Sequence, residues 1–170
     1  MGSAPEGGMR GGIVLLRVAE LAEAKAITDV INAAFRKAES FFIERDRIDV
    51  EHVQALMSKG EFLVSEEDGA INACVYLEMR GDRSYLGLLA VDPAAQGSGL
   101  GSRLMTGAEE HCRKRGSRHM DIQIVNLRKE LPEFYHRRGY VDTGTAPFTV
   151  GIQTKLPCHF VKMSKTLGRG

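Results

Sequence analysis

The chain of 170 residues is 43% apolar and 26% charged, with a formal net charge of +1, an ordinary balance for one globular domain. So small a net charge offers no long-range attraction to nucleic acid or an anionic membrane, and no apolar run reaches the roughly 18 residues of a membrane-spanning helix. Three widely spaced cysteines, Cys74, Cys112 and Cys158, fit neither a disulfide framework nor a metal site, which predicts reduced thiols in a cytoplasmic protein without a bound metal.

The amino-terminal segment, MGSAPEGGMRGG, is glycine-rich and polar and lacks the apolar core of a signal peptide. Residues 1–12 are therefore predicted to be a disordered leader, either a remnant of cloning or an upstream extension before Met9. Residues 13–170 are predicted to form a single domain, because no repeat, long linker or low-complexity segment interrupts them.

A strand and two helices are predicted at the start of this domain. An apolar run at residues 12–19 has the length of a strand. Apolar residues then recur at steps of three and four between Leu21 and Phe35, which is the period of an amphipathic helix. A second helix is predicted around residues 50–58, and Gly60 ends it.

Three antiparallel strands are predicted next, at residues 62–66, 70–79 and 84–91. The Asp68-Gly69 pair between two β-rich runs is a strong hairpin signal, and Gly81 marks a second turn. The third strand ends in the apolar run LGLLAV, so it is predicted to lie in the centre of the sheet with both faces covered.

The remaining elements alternate between helix and strand. A strand at residues 119–125, a short helix with Pro132 in its first turn, and two strands near 140–144 and 158–164 follow a long helix at 99–115. The order predicts an α/β (α+β) fold with a single mixed sheet flanked by helices. The long helix is predicted from an apolar stripe that repeats every fourth residue: Leu100, Leu104, Ala108 and Cys112.

Three glycines at alternating positions, Gly97, Gly99 and Gly101, stand between the third strand and the long helix. The first N–H groups of a helix are unpaired and partly positive, and glycines leave them accessible to an anion. The turn is therefore predicted to cradle a phosphate, with a tight structural turn as the alternative. A Walker loop is excluded because no lysine follows the glycines, and the dinucleotide fingerprint is excluded by Ser102.

The stretch LLAVDPAAQGSGLGSRLM closely resembles the acetyl-CoA-binding motif of the GCN5-related N-acetyltransferase (GNAT) superfamily. FYHRRGY, at residues 134–140, resembles the family's F-Y-x-x-x-G-[FY] signature, and the first helix and the hairpin match in order and distance. The resemblance covers residues 13–165. It implies a mostly antiparallel sheet with a splayed central strand pair, in an enzyme that moves an acetyl group from acetyl-CoA to a primary amine by direct attack in a ternary complex.

The resemblance also implies which residues bind the coenzyme. Backbone groups of Leu89, Ala90 and Val91 would hold the pantetheine arm and polarise the acyl carbonyl, and Asn126 matches a position that often touches that arm. The pyrophosphate would lie on the turn itself: Gln96, Gly97, Ser98, Gly99, Leu100, Gly101 and Ser102.

Tyr135 matches the family's usual general acid. A phenol with a pKa of about 10 stays protonated at neutral pH and can hand its proton to a departing thiolate. On the residue pattern alone, the favoured interpretation of Phe134 and Tyr135 is that they are core aromatics beneath a short helix, and the match to the family signature reverses that preference.

The general base is left open. Some relatives carry a glutamate on the central strand, whereas residues 84–91 contain no carboxylate. A water held by backbone carbonyls is one option. The other options are side chains: Glu39, Glu44, Asp46, Asp49, Glu78 and His159.

The acceptor is expected to be a small-molecule or peptide amine, bound between the first two helices and the last strands. Phe41 and Phe42 either line that site or pack in the core. A homodimer is left open, and the alternative function is a non-catalytic acyl-CoA-binding sensor. Two groups of basic residues either contact phosphates of the coenzyme or stabilise the ends of their own helices. They are Arg103, Arg137 and Arg138, and the cluster Arg113, Lys114, Arg115 and Arg118.

Overall fold

The computed structural model describes residues 15–149 and 151–168, so the predicted leader lies outside the described residues. Seven strands and four α-helices follow one another in the predicted order. No helix in these two ranges is long and apolar enough to cross a membrane. The strands are β1 (Leu16–Val18), β2 (Glu61–Glu67), β3 (Ala70–Arg80), β4 (Arg83–Val91), β5 (His119–Val125), β6 (Val141–Pro147) and β7 (His159–Thr166). The helices are α1 (Ala24–Glu39), α2 (Val50–Met57), α3 (Leu100–Lys114) and α4 (Leu131–Arg137).

All seven strands belong to one mixed sheet in the order β1-β2-β3-β4-β5-β7-β6. Neighbouring strands are antiparallel except for β4 and β5, which are parallel. The strand β4 is the fourth of seven, as its apolar sequence predicts. The expectation of a mixed, mostly antiparallel sheet flanked by helices is confirmed.

Each face of the sheet has its own apolar core, because a helix covers it. The predicted stripe of α3 is buried along its whole length and packs beside Leu86 and Met120. On the opposite face, Ile27 and Ile31 of α1 are fully buried against Phe62. Burying side chains of this size stabilises the fold by about 1.5–3 kcal/mol each.

The ends of the helices follow the local sequence. The Asp49 side chain accepts a hydrogen bond of 2.8 Å from the backbone N–H of His52 and thereby caps α2. Gly116 has a φ of +99°, and its N–H donates to the Arg113 carbonyl at 3.1 Å. The predicted left-handed cap of α3 is therefore present.

The central strands β4 and β5 separate after three residues. Residues 83–85 pair with 119–121, and the described chain forms no further pair between the two strands. Strand β5 continues beside β7 over all seven of its residues. The edge of β4 from Leu86 to Val91 therefore faces a gap instead of a strand, which confirms the expected splay.

A bulge in β4 reverses the alternation of its side chains inside this gap. Cys74 pairs with Ala90 and Tyr76 pairs with Gly87, so Leu88 and Leu89 together oppose a single residue of β3. Leu88 adopts a φ of +52°, which is rare for a residue with a side chain. Tyr85, Leu88 and Ala90 consequently all pack with the α1 core, although strict alternation would place Leu88 and Ala90 on the face opposite Tyr85.

Candidate active site

A cavity of about 610 Å³ occupies the gap between β4 and β5. Its walls come from the end of α1, from β4 and β5, from the glycine turn before α3, and from α4. This volume lies within the usual range for a small-molecule site. The cavity therefore joins, in one space, the splayed strand edge and the turn that the sequence singled out.

Glycines shape the turn at the entrance to α3. Gly97 and Gly99 have φ values of +86° and +81°, a region that residues with side chains rarely adopt, and a Cβ at either position would meet no atom within 4 Å. Residues 96–99 are exposed. Within the described ranges, the backbone N–H groups of residues 97–102 donate to no protein acceptor. Six donors at a helix start are thus left without a protein acceptor, which is the arrangement that binds anions.

The Gln96 side chain ties this turn to β4 and to α1. Its Nε2 donates to the Val91 carbonyl at 3.1 Å, and its Oε1 accepts from the Lys37 ammonium at 3.2 Å. Lys37 and Gln96 both line the cavity. A cation from α1 therefore stands beside the unpaired amides and adds to their positive potential.

Nine of the eleven predicted coenzyme-binding residues line the cavity. Two of the eleven do not. The Ser98 hydroxyl donates to the Ala95 carbonyl at 2.7 Å, and the Asn126 Oδ1 accepts from the backbone N–H of His159 at 2.8 Å. The nine that line it are Leu89, Ala90, Val91, Gln96, Gly97, Gly99, Leu100, Gly101 and Ser102.

Tyr135 reaches the cavity from α4 and is 5% exposed. Its ring packs edge-on against Phe134 and Tyr140, with centroid distances of 5.0 Å and 5.6 Å. Its hydroxyl forms no hydrogen bond with a described residue, and it is not among the buried unpaired polar atoms. Burial raises the pKa of Tyr135 to about 12, so the phenol keeps its proton at neutral pH.

Glu39 and Arg128 form a buried ion pair on the cavity wall. The Arg128 Nη1 donates to Glu39 Oε2 at 2.9 Å, and the Glu39 side chain is 5% exposed. Burial raises the pKa of Glu39, an effect that outweighs the opposing attraction of Arg128. The second carboxylate oxygen, Oε1, is buried without a hydrogen-bond partner among the described residues.

The other predicted candidates for the base lie elsewhere. Glu44 and Asp46 line a second, smaller cavity, and Asp49 caps α2. Glu78 accepts hydrogen bonds from Tyr76 and Arg80, and His159 is exposed on β7. Of the six side chains that the sequence offered, the wall of the main cavity includes Glu39 alone.

The basic cluster at the end of α3 is engaged with the protein surface. Arg113 and Lys114 pair with Glu110, and Arg115 pairs with Glu61, so the cluster stabilises the helix end. None of the predicted basic candidates lines the main cavity. Arg137 pairs with Glu133 at 3.3 Å, and Arg138 donates to the Thr106 hydroxyl at 2.9 Å.

The two phenylalanines expected near the acceptor divide between core and surface. Phe42 is fully buried with Ile43 and Val125, whereas Phe41 is 51% exposed. Neither lines a described cavity. The described residues contain no group of three or more histidine, cysteine or acidic side chains that could hold a metal ion.

The side chains on the cavity wall that escaped the sequence analysis include Lys37, Arg47, Tyr85 and Arg128. Each comes from a segment without a diagnostic motif. Tyr85 had one local signal, because Gly87 follows it at the spacing of one strand face. A Cβ at Gly87 would lie 2.8 Å from the Tyr85 hydroxyl, so the glycine makes room for the ring.

Comparisons with known proteins agree with this geometry. The family model described as an acetyltransferase (GNAT) domain matches residues 30–167. A search of curated proteins finds no match. Among solved structures, the yncA protein of Salmonella typhimurium with acetyl-CoA is 23% identical with a TM-score of 0.72, and the alignment covers 94% of this chain and 96% of that one.

Two further structures have the same fold at lower identity. The ribosomal-protein-S18-alanine N-acetyltransferase of Escherichia coli is 15% identical with a TM-score of 0.71, over 93% of this chain and 96% of that one. The PaiA N-acetyltransferase of Thermoplasma acidophilum, solved with coenzyme A, is 16% identical with a TM-score of 0.71, over 91% and 99%. Acetyl-CoA is the acyl donor of the family. The splayed sheet, the glycine turn and the match over residues 30–167 together show that the chain belongs to the GNAT acetyltransferase family.

Proposed function

We propose that this protein is an N-acetyltransferase that acylates a primary amine in a ternary complex with acetyl-CoA. One observation carries the proposal. A single cavity contains unpaired amides at a helix start, a strand edge without a partner, and a phenol that keeps its proton. Those are the parts that binding a diphosphate, holding an acyl arm and protonating a thiolate require.

We propose that two parts of the cavity hold the coenzyme. The pyrophosphate would accept hydrogen bonds from the N–H groups of residues 97–102, with the Lys37 ammonium nearby. The pantetheine arm would run along the unpaired edge of β4, past Leu89 and Val91. Acetyl-CoA supplies the acetyl group as a thioester at the end of that arm.

The bulge in β4 would supply a hydrogen-bond donor to the acyl carbonyl oxygen. Leu88 and Leu89 share one partner on β3, and β5 is too far away to pair with either of them. A backbone N–H of Leu89 or Ala90 is therefore the group proposed to donate to the carbonyl oxygen as negative charge develops there. Removing one such donor typically costs about 10²–10³ in turnover.

Proton transfer is assigned to two side chains on the cavity wall. Glu39 would accept the proton of the attacking amine at its unpaired Oε1, directly or through a water. Tyr135 would donate its proton to the departing sulfur and recover one from solvent. Direct attack needs no nucleophile from the protein, and the described cavity wall contains no cysteine.

Release of thiol from acetyl-CoA in the presence of a panel of primary amines tests the proposal. We expect turnover with at least one amine, and calorimetry should show binding of acetyl-CoA without any amine. Binding of acetyl-CoA with no thiol release across the panel would favour the acyl-CoA sensor. Failure to bind acetyl-CoA at all would remove both functions.

A further inference from the structure

A second cavity, of about 290 Å³, adjoins the main one on the side of the loop between α1 and α2. Arg36, Ser40, Asp46 and Lys155 contribute to its walls. The two cavities share three side chains, Phe35, Glu39 and Arg47, which therefore form the partition between them. A molecule in the smaller cavity would meet these side chains before it reached the gap between β4 and β5.

Arg47 is the unusual member of this partition. Its guanidinium carbon lies over the Phe35 ring, 5.5 Å from the ring centroid, in a cation–π contact. Among the described residues, it forms neither a hydrogen bond nor an ion pair with any partner. By contrast, Arg128 bonds to Glu39 and Glu130, and Arg36 bonds to Asp46 at 2.5 Å. Arg47 thus presents a planar set of N–H donors to the cavities without a protein acceptor.

Burial makes this arrangement costly. Desolvation lowers the pKa of Arg47, although the nearby charge of Glu39 opposes the shift. A half-buried guanidinium without hydrogen-bond partners is unfavourable unless a ligand supplies them. Carboxylates match the guanidinium best, because two parallel N–H groups can bond to their two oxygens.

The coenzyme phosphates are poor candidates for this partner. Arg47 and Tyr85 both line the main cavity, and the Tyr85 hydroxyl lies beside Gly87 in the first half of β4, whereas the glycine turn follows Val91 at its end. The four residue steps from Gly87 to Val91 span roughly 13 Å at about 3.3 Å per residue. Arg47 also lines the smaller cavity, which includes no residue of the glycine turn, so we place Arg47 apart from the proposed pyrophosphate site.

We infer that the acceptor is a small amine that also carries a carboxylate, and that Arg47 binds this carboxylate. The inference rests on the proposed function, since it describes the acceptor of that reaction. With the carboxylate on Arg47, the amine of the same molecule lies toward Glu39, the other charged member of the partition. The positive and negative side chains of the partition thereby match the two charges of an amino acid.

Matched pairs of amines test the inference. Thiol release from acetyl-CoA is measured with the common L-amino acids, with their carboxamides and with the corresponding decarboxylated amines. We expect kcat/KM for the preferred amino acid to exceed that for the two matched amines that lack the carboxylate by about 30-fold or more. The carboxamide has the lower amine pKa, so a larger fraction of it is unprotonated at neutral pH. That difference alone would favour the carboxamide over the amino acid.

Two variants locate the effect. Arg47→Gln should abolish the preference by raising KM for the amino acid about 30-fold, with the KM for acetyl-CoA unchanged. Arg47→Lys should restore part of the preference. The control is Arg45→Gln, which removes the same charge from an exposed residue that lines only the smaller cavity. An equal loss in Arg45→Gln, or an Arg47→Gln enzyme that still prefers carboxylates, would overturn the inference.

Calorimetry with CoA-saturated protein separates this inference from the proposed function. We expect the wild-type protein to bind the preferred amino acid and Arg47→Gln to bind it at least tenfold more weakly, by the reasoning above. Binding that depends on Arg47, without any thiol release, would contradict the proposed acetyltransferase activity and support the carboxylate site. Thiol release at equal rates with amino acids and with amines that lack a carboxylate would support the acetyltransferase activity and contradict the carboxylate site. If no carboxylate probe bound at all, the inference would be wrong.

Discussion

The Lys37 ammonium of α1 donates a hydrogen bond of 3.2 Å to Oε1 of Gln96, 59 residues later in the chain. This contact places a positive charge beside the six unpaired amides of the glycine turn. Both side chains are exposed, so an anion on the turn can reach the ammonium. The relationship links the first helix of the fold to the proposed binding of the coenzyme.

Lys37→Met should weaken the binding of CoA. A surface charge near a phosphate contributes about 1 kcal/mol, roughly fivefold in the dissociation constant, and the difference should shrink as salt is added. Isothermal calorimetry at two ionic strengths measures it. Lys25→Met is the matched control, because Lys25 lies on the same helix but pairs with Asp29. Equal affinity in the wild type and Lys37→Met would show that Lys37 only positions Gln96.

Gly99→Ala should weaken CoA binding about tenfold or more with the fold retained. A φ of +81° costs a residue with a side chain about 1–2 kcal/mol, so the turn should rearrange and redirect its amides. Gly101→Ala adds the same methyl group two residues later, where its Cβ would lie 3.7 Å from Val91 in ordinary contact. This control should keep its affinity for CoA. Calorimetry compares the two variants, and equal affinity for CoA in both would contradict a pyrophosphate site on this turn.

Tyr135→Phe should reduce kcat by about 10²-fold or more while the KM for acetyl-CoA stays nearly constant. The reason is that the phenol, with a pKa of about 12, carries the proton that the thiolate needs. Tyr140→Phe is the control, because Tyr140 packs against Tyr135 but donates to Glu109 at 2.8 Å instead. That variant should lose stability and keep its turnover. Unchanged kcat in Tyr135→Phe at saturating substrates would assign Tyr135 to packing.

Glu39→Gln should reduce kcat about 10²-fold and remove the acid limb of the pH profile. Because burial raises the pKa of Glu39, the wild-type kcat/KM should fall as pH falls through a value above the ordinary glutamate range. Glu130→Gln is the control, since Glu130 also lines the cavity and accepts from Arg128 at 2.7 Å, but is exposed. An acid limb that persists in Glu39→Gln would identify another base.

The same pKa shift predicts a change in stability. The folded chain holds the Glu39 proton more tightly than the unfolded chain, so the free energy of unfolding should decline as pH rises through the pKa of the folded state. Urea denaturation across this range measures the decline. Glu39→Gln should make the curve flatter, whereas an identical pH dependence in both proteins would contradict the shift.

Gly60→Ala should destabilise the fold by about 1–3 kcal/mol, as overpacking does. A Cβ at this position would lie 2.3 Å from the Leu77 carbonyl oxygen and 2.8 Å from the Tyr76 hydroxyl, so the turn between α2 and β2 must shift. Urea denaturation measures the change. A free energy of unfolding equal to that of the wild type would show that the turn moves without cost.

Local patterns in the sequence were enough to predict most of the fold. The order of strands and helices, the central position of β4 and the buried stripe of α3 were all predicted correctly. Side-chain period, turn residues and helix caps act between residues close in sequence, so they can be read before the chain is folded. The bounds differ mainly at ends: α1 continues to Glu39, where the apolar pattern had suggested residue 35.

The part of the cavity wall between Leu89 and Ser102 was predictable, since one continuous segment carries it. Ser98 and Asn126 were included on the resemblance alone. The folded chain directs the Ser98 hydroxyl to Ala95 and the Asn126 side chain to β7. Those contacts depend on backbone direction and on a strand that comes 33 residues later, which no local pattern encodes.

The charged side chains of the cavity wall are brought together only by the tertiary structure. Glu39 meets Arg128 across 89 residues, and Arg47 joins them from a loop that has no motif. Each side chain taken separately has the sequence signature of a solvated surface charge. Their burial, the raised pKa of Glu39, the lowered pKa of Arg47 and the shared cavity arise because the sheet splays at β4 and β5 and brings distant segments to the same gap. Electrostatic character depends on distance and desolvation in three dimensions, and neither quantity exists until the chain has packed.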